Sequence, residues 1–177
     1  MPGRVLIPQE HIAARVRELG AEIARHYAGR RPLFLGVMNG ALFFLADLVR
    51  AMDLDIEISC VRLASYAGTQ STGLVRGLDD ADLHDAVRGR DVLIVDDILD
   101  TGRTLSALVA QLHAHEAAQI RICVLLEKES AREIPVRADW VGFRIADEFV
   151  VGYGLDHDGQ FRGLKDIHAL TPDHSSP

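Results

Sequence analysis

The sequence predicts an α/β fold: a mostly parallel, twisted sheet flanked by helices. Two apolar runs, Leu33-Phe34-Leu35-Gly36-Val37 and Val92-Leu93-Ile94-Val95, read as strands buried on both faces, as in a parallel sheet. Apolar residues at helical spacing follow each run, and alternating strand and helix patterns require βαβ units. The 177 residues suit one domain, which at this size buries roughly 70% of the unfolded surface.

In chain order, Ile12, Val16, Leu19 and Ile23 mark one face of an amphipathic helix between Pro8 and Tyr27. The strand at Leu33 leads to a helix over Ala41 to Met52. Ile56, Ile58 and Cys60 then alternate with polar residues, giving a strand with one wet face. From Ala64 to Gly77 periodicity is lost and Gly, Ser and Thr dominate. A polar loop of that length is uncommon unless it is functional or disordered. The strand at Val92 precedes a helix carrying Leu105, Leu108, Val109 and Leu112, and Ile120 to Leu126 is a further strand. Trp140 to Val151 holds short strands without long helices. Residues 1–170 are expected to form the single domain and residues 171–177 a disordered tail.

The formal net charge of −7 argues against broad nucleic-acid binding, which needs a positive field. It leaves room for a small anionic substrate held by a local helix N-terminus. No apolar stretch is long enough to span a bilayer, and Met1-Pro2-Gly3-Arg4 lacks the apolar core of a secretory signal. A cytoplasmic protein without a membrane partner is expected, with Cys60 and Cys123 as buried free thiols.

The chemistry concentrates in Asp96-Asp97-Ile98-Leu99-Asp100-Thr101-Gly102-Arg103-Thr104. Two carboxylates close a buried strand, and a short turn opens a helix. In open α/β sheets ligands bind beyond the carboxyl ends of strands, where helix N-termini offer free N–H groups to anions. The segment thus provides a phosphate cradle beside acids that can hold Mg²⁺ or sugar hydroxyls, needs that a phosphorylated ribose combines. An ordinary N-cap accounts for Asp100 or Thr101 singly, but not for the two preceding acids. Asp100-Thr101-Gly102 is also the aspartic-protease tripeptide. A helix follows it here and no second copy exists, so that reading is poor.

This segment resembles the phosphoribosyl-pyrophosphate (PRPP) signature of the type I phosphoribosyltransferases. Gly36-Val37-Met38-Asn39-Gly40, Ser65-Tyr66, Lys128, Phe149 to Tyr153, Leu155-Asp156 and Phe161-Arg162 resemble the 6-oxopurine branch, the hypoxanthine-guanine phosphoribosyltransferases. The resemblance implies the type I phosphoribosyltransferase fold, with a small hood formed from the chain ends. It implies transfer of 5-phosphoribosyl from PRPP to hypoxanthine and guanine, with Mg²⁺ as cofactor and a homodimer or homotetramer as the assembly.

By the same resemblance Thr101, Gly102, Arg103 and Thr104 bind the 5′-phosphate, and Asp96 and Asp97 hold the ribose hydroxyls directly or through metal. Asp100 is the general base toward N7 of the purine. Asn39 and Gly40 lie in the pyrophosphate loop, which in relatives often carries a non-proline cis peptide, and Arg162 contacts pyrophosphate. Lys128 donates to O6 of the base; Ile98, Phe149, Val150 and Leu155 enclose it. Asp156, beside the purine, holds a second Mg²⁺. Ser65 and Tyr66 open a loop that closes over the site. Asp96 and Asn39 depart from many relatives, which have Glu and Lys there. A pyrimidine-operon attenuator, an RNA-binding regulator on this fold, is the alternative from another class. Such proteins typically lack the acid at the position of Asp100 and display a basic face. A xanthine-preferring salvage enzyme is the alternative within the enzyme class.

Overall fold

A computed structural model describes residues 3–63, 75–76, 80–128 and 130–170. The elements are β1 (Val5–Ile7), α1 (Gln9–His26), β2 (Leu33–Met38), α2 (Leu42–Arg50), β3 (Glu57–Leu63), β4 (Val75–Arg76), α3 (Asp80–Val87), β5 (Asp91–Leu99), α4 (Arg103–Ala114), β6 (Gln119–Glu127), β7 (Trp140–Arg144), β8 (Val150–Val151) and β9 (Ile167–Ala169). Ser65, Tyr66, most of the aperiodic segment and the tail at 171–177 lie outside the described residues.

The main sheet has the order β4-β3-β2-β5-β6-β7. All neighbours run parallel except β4, which pairs antiparallel with β3. The uninterrupted apolar runs have a direct cause. Phe34, Leu93 and Val95 enter one core with α1 and α2, whereas Leu33, Leu35, Val92 and Ile94 enter a second core with α3 and α4. Successive side chains of a strand point to opposite faces, so a sheet covered on both sides needs apolar residues at every position. Ile12, Val16, Leu19 and Ile23 of α1 are all buried, as their spacing predicts. Each such side chain contributes roughly 1.5–3 kcal/mol of transfer free energy.

The chain ends do form a hood. In it β1 pairs antiparallel with β9, and β9 with β8. The Gln9 N–H donates to Asp166 (2.8 Å), and Arg4 pairs with Glu148 (2.6 Å). These contacts tie both ends of the chain over the loops that carry the site.

Three details differ from expectation. Helix α3 stands between the aperiodic segment and β5, where the sequence shows little beyond Leu83 and Val87, both buried. In β3 the alternating positions Ile58 (49% exposed) and Cys60 face outward, whereas Val61 on the opposite face is buried. Helix α2 packs over β2 and β5, while Ile58 and Cys60 on the same face of β3 are exposed. Cys60 is therefore a surface thiol, not a buried one. Cys123 is buried, and burial pushes its thiol pKa up.

Candidate active site

The carboxyl ends of β2, β5 and β6 converge with the hood. Strand β5 runs further than the apolar residues alone suggest. Asp96 pairs with Val124 and Ile98 with Leu126, so parallel pairing with β6 carries the acid pair into the strand itself. A turn at Asp100 and Thr101 leads to Gly102, the N-cap of α4, at φ 86°. Glycine adopts this left-handed conformation without steric cost, and a Cβ here would sit 2.7 Å from the Ile134 carbonyl oxygen.

The Thr101 carbonyl accepts the N–H groups of Glu133 and Ile134, both at 3.0 Å. Because C=O and N–H of one peptide unit point opposite ways, this anchor turns the Gly102 N–H away from the 133–134 loop. No side chain caps α4; the nearest substitute is a long 3.4 Å contact from the Arg103 N–H to Thr101 Oγ1. The first-turn N–H groups are thus available to an anion. Arg103 and Thr104 are exposed. The Arg103 guanidinium lies against Glu133, at 2.7 Å through Nε and 2.5 Å through Nη2. In this state Arg103 offers the cradle its backbone, while its side chain braces the turn against the next loop.

Asp96 is buried, and its Oδ1 accepts the Asp97 N–H at 2.9 Å. Burial pushes the Asp96 carboxyl well above the usual carboxylate range, and the Asp97 charge beside it adds to this. Burial also raises Asp97, opposed by hydrogen bonds from Asp96 and nearby backbone and by the positive charge of Arg162. Among the described residues no group of three or more His, Cys, Asp or Glu is placed to hold a metal ion. A crowded acid pair, one member buried and the other half-buried, suits a cation that takes one or two carboxylates and completes its shell with substrate oxygens and water. Mg²⁺ binds in that way.

The Asn39–Gly40 loop meets this pair directly. The Met38–Asn39 peptide is cis. A Cβ on Gly40 would fall 1.8 Å from Asp97 Oδ2, so no other residue fits there without displacing the carboxylate. A Cβ on Gly154 would fall 2.1 Å from the Gly40 carbonyl oxygen, which presses the hood loop onto the back of the same loop. Arg162 secures that contact by donating to the Gly154 carbonyl (2.6 Å) while pairing with Asp156 (2.6 Å). The expected pyrophosphate contact and the expected metal ligand are therefore bound to each other here. Arg62, which no sequence pattern singles out, donates to Asn39 Oδ1 at 3.4 Å. It brings a guanidinium to the loop position where many members of the resembled family have a lysine.

On the other side of Asp100, Ile98, Val150 and Leu155 pack in one apolar cluster. Phe149 is 52% exposed, with its ring edge-on to His157 at 5.1 Å between centroids. Lys128 is 6% exposed and stands between two carboxylates, Asp100 at 3.4 Å and Asp147 at 3.2 Å. The backbone places it there: the Lys128 N–H donates to the Leu99 carbonyl (3.0 Å), one residue before Asp100.

Every sequence-named residue among the described ones thus belongs to one continuous region. Sequence reasoning missed Arg62, Glu133, Asp147 and His157. Asp147 carried a faint signal, lying two residues before Phe149, but an acid beside Glu148 in a polar turn reads as solvated.

Residues 6–158 match the phosphoribosyl transferase domain family. The chain is 44% identical to the hypoxanthine-guanine phosphoribosyltransferase of Bacillus subtilis, over 96% of this chain and 93% of that protein. It is 42% identical to the bifunctional protein TilS/HprT of Listeria innocua, again over 96% of this chain, but spans only 26% of that longer protein. A crystal structure of a hypoxanthine-guanine phosphoribosyltransferase from Bacillus anthracis superposes with a TM-score of 0.88 at 34% identity, covering 97% of this chain and 100% of that one. With this family match, these identities and this fold, the chain belongs to the phosphoribosyl transferase domain family, in the branch of the hypoxanthine-guanine phosphoribosyltransferases.

Proposed function

We propose that this chain transfers 5-phosphoribosyl from PRPP to hypoxanthine and guanine, releasing pyrophosphate and forming the purine nucleoside monophosphates. The observation that carries the reading is the Lys128–Asp100 pair standing beside both the uncapped start of α4 and the Asp96–Asp97 pair. Few ligands need a phosphate cradle, a site for sugar hydroxyls or metal, and a cation–carboxylate pair at one place.

The displacement builds positive charge on the ribose and negative charge on the departing pyrophosphate. The α4 amides and the Thr101 and Thr104 hydroxyls hold the 5′-phosphate. The Asn39–Gly40 loop and Arg162 face pyrophosphate once Arg162 shares its charge with the ligand. Preorganised donors of this kind are worth roughly 3 kcal/mol each. Asp96 and Asp97 hold the ribose hydroxyls, and with Asp156 they are the carboxylates that would hold Mg²⁺. When bound, Mg²⁺ supplies charge neutralisation for the phosphate oxygens. Asp100 accepts the proton from the purine N7. Lys128 donates to O6; adenine presents an N–H there, and the mismatch rejects it by roughly 10⁴-fold. Ile98, Phe149, Val150 and Leu155 form the apolar walls for the base.

We assign residues 1–170 to one domain acting as a homodimer or homotetramer in the cytoplasm. No described helix is long and apolar enough to cross a membrane. The test is a steady-state assay with PRPP, Mg²⁺ and each of hypoxanthine, guanine, xanthine and adenine. Turnover is expected with hypoxanthine and guanine and not with adenine. Asp100→Asn should lower turnover by about 10²–10⁴-fold with PRPP binding retained, the range expected for loss of a general base. Full activity in that variant, or turnover of adenine alone, overturns the reading.

A further inference from the structure

The Lys128 ammonium has more partners than the proposed chemistry assigns it. Its side chain is 8% exposed, so each of its three N–H donors needs an acceptor. Asp100 takes one at 3.4 Å, and Asp147 takes another at the shorter distance of 3.2 Å. Asp147 lies between β7 and β8, in a loop fastened at both ends. The Ile145 N–H donates to the Glu127 carbonyl (3.0 Å), the Glu148 N–H to the Ala146 carbonyl (2.8 Å), and the Leu170 N–H to the Phe149 carbonyl (2.8 Å). The carboxylate is thus delivered from a braced turn, although its own side chain is 63% exposed. An exposed acid gains little from an ion pair, so fold stability gives weak reason for this one. A buried ammonium has much more at stake.

We propose that Asp147 is a positioning residue, holding the Lys128 ammonium at the C6 edge of the purine and so setting the preference for a 6-oxo base. The inference rests on the reading of Lys128 given above. Without Asp147 a single carboxylate remains, and the ammonium collapses onto Asp100. That contact draws the donor from the base and occupies the carboxylate that must accept the N7 proton. With Asp147 in place, Lys128 is shared between two acids, and its third donor is left for an incoming carbonyl oxygen.

The test compares two nucleotides by calorimetry: inosine 5′-monophosphate, which carries O6, and purine riboside 5′-monophosphate, which has hydrogen at C6. In Asp147→Asn the Kd for the first should rise about tenfold, the scale of one charge-assisted hydrogen bond. The Kd for the second should stay within about twofold, and Asp147→Glu, which keeps the charge, should restore most of the loss. The KM for hypoxanthine should rise with that for PRPP unchanged. Equal weakening of both nucleotides, or no change in either, overturns the proposal. A wild-type protein that binds the C6-hydrogen nucleotide as tightly as the 6-oxo one overturns the role of Lys128 itself, which separates the two failures.

Discussion

Asp96 is held where burial favours its neutral form, while the proposed chemistry needs it charged. The strand pairing that buries it also fixes its carboxylate beside Asp97, and that second carboxylate fills the space a Cβ on Gly40 would take. A site of this kind is destabilising until a cation or sugar arrives, a common trade between function and stability. The sign of the pH effect follows from the direction of the shift. The Asp96 pKa is raised in the folded state, so the folded protein holds that proton more tightly than the unfolded chain. Its burial therefore costs stability above the folded pKa. The penalty fades as pH falls toward the unfolded value of about 4. Asp96→Asn keeps an oxygen to accept the Asp97 N–H and removes the charge. It should raise the Tm of the ligand-free protein at about pH 7.5 by a few degrees, since 1 kcal/mol moves Tm by roughly 2–4 °C at this size. The gain should shrink near pH 4, and turnover should be lost. Scanning calorimetry at both pH values checks this, and a variant less stable than wild type at neutral pH contradicts it.

At the scale of elements, the strand–turn–helix of β5 and α4 carries the proposed phosphate cradle, and Gly102 is its turning point. Gly102→Ala would force an L side chain to φ 86° and drive its Cβ to within 2.7 Å of the Ile134 carbonyl, a backbone atom that cannot rotate aside. The left-handed conformation alone costs about 1–2 kcal/mol. Urea unfolding should show at least that loss, and PRPP affinity should fall by more than tenfold, because the turn that orients the first α4 amides is displaced. Equal affinity in the variant would show that these amides are not the phosphate site. This element is largely legible in the sequence, because a run of consecutive apolar residues, a pair of adjacent acids and a glycine turn rarely coincide by chance. The braces around it are not. Glu133, Asp147 and Arg62 act through side chains that meet the site from other elements, and a single charged residue in a polar stretch looks the same whether solvated or engaged. Helix α3 is illegible for a related reason: only two of its eight residues are large and apolar, which leaves helical periodicity barely above chance. The alternation in β3 is visible in the sequence, yet its direction is not, since periodicity reports two faces and cannot say which one a helix covers.

That outward apolar face of β3 bears on the whole molecule. Ile58 lies opposite Phe34, and Cys60 opposite Gly36, on the side of the sheet where α2 packs. Leu45 of α2 covers Gly36, and Leu42, one turn earlier on the same side of that helix, is 51% exposed. Leu42, Ile58 and Cys60 are thus exposed on the side of the sheet where α2 packs, and we propose that they form one apolar strip there. Scattered exposed apolar residues are ordinary, but a contiguous strip marks a surface that associates. The proposed homo-oligomer gives it a partner: a second copy of this chain, burying the same strip on both sides of a twofold axis. Ile58→Glu places a charge in the middle of the strip without touching either core, so the monomer should fold with its Tm little changed. Light scattering coupled to size-exclusion chromatography should then show the assembly shifted toward the monomer, and the shift should grow on dilution. If the variant keeps the wild-type mass at low micromolar concentration, copies of the chain join through a different face. If the wild type is itself monomeric there, the strip has some other use.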